Sequence, residues 1–543
     1  MQYCKMLKSL LICWNFLIIS CDVYGENENT IEQQQQQRKR YNSDRHYHRR
    51  KRHPAIQEMN RMVVSRPEHL PKIDYGDSHP FDLYQNAQEN TVLEILEDNS
   101  IDQNNNQERN LEDSRRNPEN YYPLRIEYDF SNLHSRGTPE DEIRIKAIKE
   151  EALPYIASYY NSILSVIRNR GKIPISNDEC FGYLDIPSKV STKGVYGMDL
   201  YVFVAGFQSV AETQLCGDDF GVLAAAAPCG LDQFDRPITG FINFCLDEIP
   251  VKNGQISHEN MNDLESIAIH EFAHVLGINS DSWKFFRHPI TGIALTPRPF
   301  KKSVFTCVAG KKFRDIAIPS CKVLSSGVAS NGMPYFEIVT PTVTQVARNQ
   351  FGCQTLTGAR LENQPTNPFD CFGTHWDERY FYAETLSAYY APEADYFSAL
   401  TLALLEDSGW YMANFRHAEV SPFGHGAGCD FVEKDCIEKT NIHRSKIGGV
   451  VPDYARGFFC AEPMTVKKNN EHEFIYQCDP SHTHKAGCDL VNRGEAHRLP
   501  KEGRYFGHKD YGTLIMQNAD YCPIAAIDSR DCTNIHNSNR WGE

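Results

Sequence analysis

Two histidines four residues apart, His270 and His274, frame the stretch HEFAH, with Glu271 beside the first. On a helix, positions i and i+4 project from one face, so both imidazoles can reach one ion at about 2.0 to 2.1 Å. Glu271 lies one residue further round, close enough to touch a water on that ion without ligating it. Metal-assisted hydrolysis needs this arrangement: an ion that lowers the pKa of a water toward about 7, and a carboxylate that takes the proton as the water attacks a carbonyl. The competing reading is a buried helix that happens to carry these residues. It would leave Glu271 in an apolar setting beside Phe272, which is costly for an unpartnered carboxylate.

A catalytic zinc normally takes a third protein ligand, and this helix does not supply it. Six residues past the second histidine, where longer forms of the motif place another His, stands Ser280. After Glu271 the next glutamate is Glu337, far beyond the usual offset of a carboxylate ligand. Asp281, at the helix exit, His288, nearby in sequence, and His375, remote from both, are the residues left open.

The elements that must position these groups are legible from periodicity. Residues 259–277 form a helix with Leu264, Ile267, Ala268 and Val275 on its apolar face, and Gly277 lets the chain leave in a left-handed turn. Strands are predicted at 121–130, 199–207 and 238–245, with an edge strand in the small-residue run GVLAAAAPC, 221–229. An amphipathic helix over 141–168 is either kinked at Pro154 or begins there, and another helix spans 395–409. Residues 283–374 read as long and less regular.

At 543 residues the chain exceeds one core, and its net charge of -15 argues against a nucleic-acid partner. Residues 1–21 read as a signal peptide: Lys5 and Lys8 precede an apolar run from Leu10 to Ile19 that is short for a span of about 20 residues. Residues 22–120, with QQQQQ and HRRKRH, read as a disordered pro-segment, either a solvated leader that stays uncut or one cleaved after Arg52 or near Arg115 and Arg116. Of 18 cysteines, Cys4, Cys13 and Cys21 lie in or beside the signal, and the other fifteen lie between Cys180 and Cys532. In an exported chain that density predicts disulfides, with one thiol left over or paired with Cys21. A secreted, extracellular protein without a transmembrane or lipid anchor is expected, and without N-glycosylation, since no Asn-x-Ser/Thr occurs. The stretch 478–488, with Cys478, His482, His484 and Cys488, reads as paired cysteines and solvated histidines rather than a second metal site. Tyr389 and Tyr390 read as packing residues rather than stabilisers of a reaction intermediate.

Seven blocks in order, DLYVFVAGFQS, DRPITGFINFC, HEFAHVLG, FGCQTLTGARLEN, GTHWDERYFYAE, LTLALLEDSGWYMANF and GCDFVEKDC, resemble the leishmanolysin family of zinc metalloproteases and its invadolysin-type animal relatives. The likeness runs through most of residues 121–440. It implies an α+β fold with three parts: a zincin (metzincin-like) subdomain at 121–282 with a twisted mixed sheet and the zinc helix, a central subdomain at 283–415, and a disulfide-rich C-terminal domain at 416–543. It implies that His375 is the third ligand, so that His270, His274 and His375 hold one Zn²⁺ with Glu271 as general base. It also implies that 221–229 is the edge along which an extended peptide lies.

The chain departs from that family twice. Leu386 stands where the family has a Met in a turn beneath the metal, a swap expected to cost less than about 1.5 kcal/mol. The leader has no cysteine after Cys21, so latency through a thiol is not expected. The resulting expectation is a secreted zinc endopeptidase acting on protein or peptide substrates, with cell-surface or extracellular-matrix proteins among its partners. The rival is a catalytically silent, disulfide-rich adhesion protein that keeps the zincin fold.

Overall fold

The computed structural model describes residues 63–65 and, between Asn117 and Asp531, all but 178, 211–212, 215, 217–221, 309, 365–370, 390–394, 442–446, 464, 469–470, 475, 481–483 and 514–517. The signal stretch, nearly all of the leader, Tyr390 and His482 lie outside the described residues.

A five-stranded sheet organises the N-terminal part. Its strands in chain order are β1 (Val63–Ser65), β2 (Ile126–Asn132), β3 (Leu200–Ala205), β4 (Val222–Pro228) and β5 (Thr239–Phe244), arranged β1-β4-β5-β3-β2. β2, β3 and β5 run parallel, with Ile126 opposite Leu200 and Thr239 opposite Tyr201. β4 turns back antiparallel to β5, Ala226 facing Ile242. The run 221–229 is therefore a strand near the sheet margin, as its composition predicts, but not the outermost one: β1 pairs antiparallel along its outer side, Val63 opposite Ala225.

The period of two along each strand divides the sheet between two cores. Leu200, Val202, Val204, Ala224, Ala226, Ile242 and Phe244 face the helices. Tyr201, Phe203, Ala205, Ala225 and Phe241 face a second cluster with Ile173, Ile175 and Leu184. Among the described residues a short helix, Ser188–Lys193, packs Val190 against this second cluster. The disulfides Cys180–Cys229 and Cys216–Cys245 also lie there, tying loops over it.

Helices α1 (Pro139–Ala147) and α2 (Leu153–Ile163) are joined by a π-helical stretch, Ile148–Ala152, so Pro154 falls in the first turn of α2, where no N–H is needed. The predicted helix over 141–168 stops early. Residues Leu164–Ile167 are a strand, because Tyr121–Pro123 and Met412–Ala413 offer it backbone partners on both sides. The metal-motif helix α3 (His258–Val275) starts where the Ser257 hydroxyl accepts from the Asn260 N–H. It lies on the sheet over Gly240, where an added Cβ would sit 2.4 Å from Val275 Cγ1. The absent side chain is what lets helix and sheet approach so closely.

The stretch 283–374 is more regular than its sequence suggests, with hairpins Lys302–Thr306/Lys312–Ala317 and Leu324–Val328/Pro334–Ile338 and helix α4 (Pro341–Phe351). The Asp407 carboxylate, at the end of helix α5 (Ala399–Asp407), accepts from the N–H groups of Thr342 and Val343 and so caps α4. That cap depends on a partner distant in sequence, which periodicity does not reveal. Four further disulfides, Cys307–Cys371, Cys353–Cys429, Cys436–Cys522 and Cys460–Cys488, hold the later parts. One contiguous apolar core runs from Leu124 to Ile524. Among the described residues, no helix is long and apolar enough to cross a membrane.

Gly240→Ala should force α3 off the sheet. A stability loss of about 1–3 kcal/mol is expected in urea unfolding, while alanine at the exposed Gly254 position, where φ is +74°, should act only through backbone strain.

Candidate metal centre

α3 ends in a way that prepares the site. Gly277 adopts φ +104°; its N–H donates to the His274 carbonyl at 2.9 Å, and the Ile278 N–H reaches back to the Ala273 carbonyl at 3.1 Å. This is the Schellman pattern, which folds the chain over the last turn. The reversal brings the Ile278 carbonyl against His274 Nδ1 at 2.6 Å. A carbonyl can only accept, so Nδ1 carries the proton and the Nε2 lone pair faces inward.

His270 is held in the same manner by a distant partner, its Nδ1 donating to the Thr385 carbonyl at 2.5 Å. His375 Nδ1 lies 2.8 Å from Glu362 Oε1, which also accepts from the N–H groups of Thr374 and His375. Burial alone would raise the Glu362 pKa, but His375 and these N–H donors outweigh it and hold the carboxyl below its ordinary value. All three rings are buried, with centroids 4.8 to 5.2 Å apart. Their ligand atoms lie within 4.8 Å of one another. His270 and His274 bring Nε2 atoms within 3.0 Å, and His375 Nε2 has no hydrogen-bond partner. Converging lone pairs in a dry interior repel unless a cation sits between them, and three imidazole nitrogens suit zinc. The residues present therefore fit that ion.

Burial first, then the neighbouring imidazoles, push His270 well below its ordinary pKa and His274 down to about 3, so both rings are neutral near pH 7, the form that ligates. Glu271 is fully buried one residue along from His270. Among the residues left open by sequence, His288 is in an exposed turn where its Nδ1 accepts from the Ile290 and Thr291 N–H groups, and neither it nor Asp281 joins the cluster. Cys488 is bonded to Cys460 and so offers no thiolate at the 478–488 stretch, while Cys478 carries a free thiol.

Three contributors escape sequence reasoning. Glu362 and the Thr385 carbonyl carry no local signal, because their partners are set by tertiary contact, whereas the Ile278 carbonyl meets His274 through the turn that Gly277 announces. Ser280, which stands where longer forms of the motif have a His, is the third. Its hydroxyl accepts from the Phe372 N–H at 3.1 Å and its own N–H donates to Thr374 Oγ1 at 3.4 Å, which docks the segment that carries His375.

A family model described as leishmanolysin, peptidase family M8, matches residues 141–540. The chain belongs to the leishmanolysin family. It is 32% identical over 319 residues to a leishmanolysin-like peptidase of Caenorhabditis elegans, covering 56% of this chain and 45% of that one. It is 28% identical over 348 residues to one of Drosophila melanogaster (61% and 46%), and 26% identical over 375 residues to leishmanolysin of Leishmania major (68% and 49%). The chain thus spans about half the length of these relatives.

For His274 the folded pKa lies below the ordinary 6.5, so its contribution to stability is complete above 6.5 and is lost as pH falls toward about 3. Metal-free wild-type protein should lose stability over that window more steeply than His274→Gln, by about 1.4 kcal/mol per pH unit, in urea titrations at pH 7, 6 and 5.

Proposed function

We propose that the chain is a secreted zinc-dependent endopeptidase that cleaves protein or peptide substrates. The observation that carries this reading is the set of three buried imidazoles whose Nδ1 atoms are all engaged and whose Nε2 atoms converge, with a carboxylate at the next helical position. His270, His274 and His375 would hold the ion. Bound zinc supplies Lewis acidity, making a water acidic and polarising the scissile carbonyl. Glu271 takes the proton from the attacking water and delivers it to the leaving amine. Glu362, through His375 Nδ1, fixes that ring's tautomer and orientation. Disulfides and the absence of a membrane-length helix among the described residues support an extracellular setting. We read 121–282 as the zincin subdomain, 283–415 as the part that brings in His375, and 416–543 as the disulfide-held C-terminal domain.

β4 is the strand along which an extended substrate would pair. β1, from the leader, pairs antiparallel on that side and comes within 8 Å, Cα to Cα, of α3. A pro-segment held there competes with substrate by occupying backbone partners, without any thiol. Cleavage after Arg52 leaves β1 attached, whereas cleavage near Arg115 and Arg116 frees it.

His375→Ala should lose zinc by metal analysis, while His288→Ala retains it. Glu271→Gln should keep zinc yet lose about 10² to 10⁴-fold in kcat on an unfolded protein substrate, and chelator should abolish wild-type cleavage. A zinc-loaded wild-type protein that cleaves nothing would sink the enzyme reading. Arg115→Ala/Arg116→Ala protein should remain poorly active, with N-terminal sequencing showing residues 63–65 retained.

A further inference from the structure

Nine residues past His375, the buried carboxylate of Glu384 lies in the turn where Leu386 replaces the family's Met. Four donors converge on it. The Leu386 N–H donates to Oε2 at 2.6 Å; the Ser398 N–H (3.3 Å), the Ser398 hydroxyl (2.9 Å) and the Thr401 hydroxyl (2.6 Å) donate to Oε1. The Ser398 hydroxyl also accepts from the Leu400 N–H as the cap of α5. One carboxylate therefore clamps the turn 384–387 to the start of a helix.

That turn reaches the three histidines by two routes. The carbonyl of Thr385, next to Glu384, is the acceptor for His270 Nδ1. The carbonyl of Leu386 accepts from the N–H of Trp376, the neighbour of His375, at 2.9 Å. The Trp376 indole N–H also donates to Thr401 Oγ1 at 3.0 Å, and that hydroxyl in turn donates to Glu384. Leu386 itself is fully buried and fills space.

We propose that Glu384 is a positioning residue for the metal centre: its carboxylate, rather than the side chain at 386, sets the turn that aligns His270 and His375. The proposal rests on the zinc reading of the three histidines. All four partners are donors, so only an acceptor with both oxygens available satisfies them. A glutamine would turn an NH₂ group toward one donor and break either the Leu386 arm or the Ser398/Thr401 arm. A methionine at 386 changes volume little and leaves every one of these bonds in place.

The test compares wild type, Glu384→Gln and Leu386→Met by zinc affinity in competition with a chromophoric chelator, by the visible spectrum after Co²⁺ substitution, and by circular dichroism of the metal-free forms. Glu384→Gln should bind zinc about 10- to 100-fold more weakly, with an altered Co²⁺ spectrum and a native-like dichroism spectrum. Leu386→Met should match wild type in both metal readouts. Wild-type affinity and spectrum in Glu384→Gln, or equal losses in both variants, would overturn the positioning role while leaving the histidine site standing. A wild-type protein that binds neither ion would overturn both. If Glu384→Gln does not fold, Thr401→Val and Thr401→Ser decide: loss of affinity in the valine variant alone upholds the clamp, and equal affinity in the two overturns it.

Discussion

Three imidazoles have been drawn into a dry interior with their Nε2 atoms facing one another, and much of the surrounding structure follows from that constraint. Nothing intrinsic to a histidine side chain fixes which nitrogen points inward. Here the choice is made by three acceptors, the Ile278 and Thr385 carbonyls and the Glu362 carboxylate, each of which keeps a proton on Nδ1. They come from three separate segments, so the geometry at the centre depends on how those segments dock. The cost of gathering unpaired lone pairs away from water is what makes a cation the natural occupant.

The sheet and its coverings serve the same end. One face packs on helices and receives α3 over Gly240, where backbone and Val275 meet closely. The other is closed by disulfide-tied loops. At its C-terminal end α3 performs two tasks with one turn. The Schellman reversal satisfies carbonyls that the helix leaves open, and the same reversal supplies the acceptor for His274. Two residues further on, Ser280 bonds to Phe372 and Thr374 and so joins the helix exit to the segment that leads into His375.

This wiring gives a physical reading of the residues by which the chain differs from its family pattern. Leu386 sits in a turn held by backbone and carboxylate bonds, so the side chain there needs bulk more than a particular chemistry. The leader has no cysteine after Cys21, and its strand β1 pairs along the outer side of β4, within 8 Å, Cα to Cα, of α3.

By itself the sequence determined the parts that depend on local spacing. The i, i+4 histidines and Glu271 define one helix face, the β-branched and aromatic runs at 199–207 and 238–245 define buried strands, and the cysteine density predicts the disulfides. It did not determine which of Asp281, His288 and His375 would stand beside that face; only the family resemblance singled out His375. It also extended the helix at 141–168 too far and missed the hairpins and α4 in 283–374. The helix end, the start of α4 and the placing of His375 depended on partners remote along the chain: strands 121–123 and 412–413 for residues 164–167, Asp407 for α4, and Ser280 and Glu362 for His375. Periodicity reports what a segment can bury. Only the tertiary structure decides which distant donor meets which acceptor, because hydrogen-bond partners are selected by direction and distance in space rather than by order in the chain.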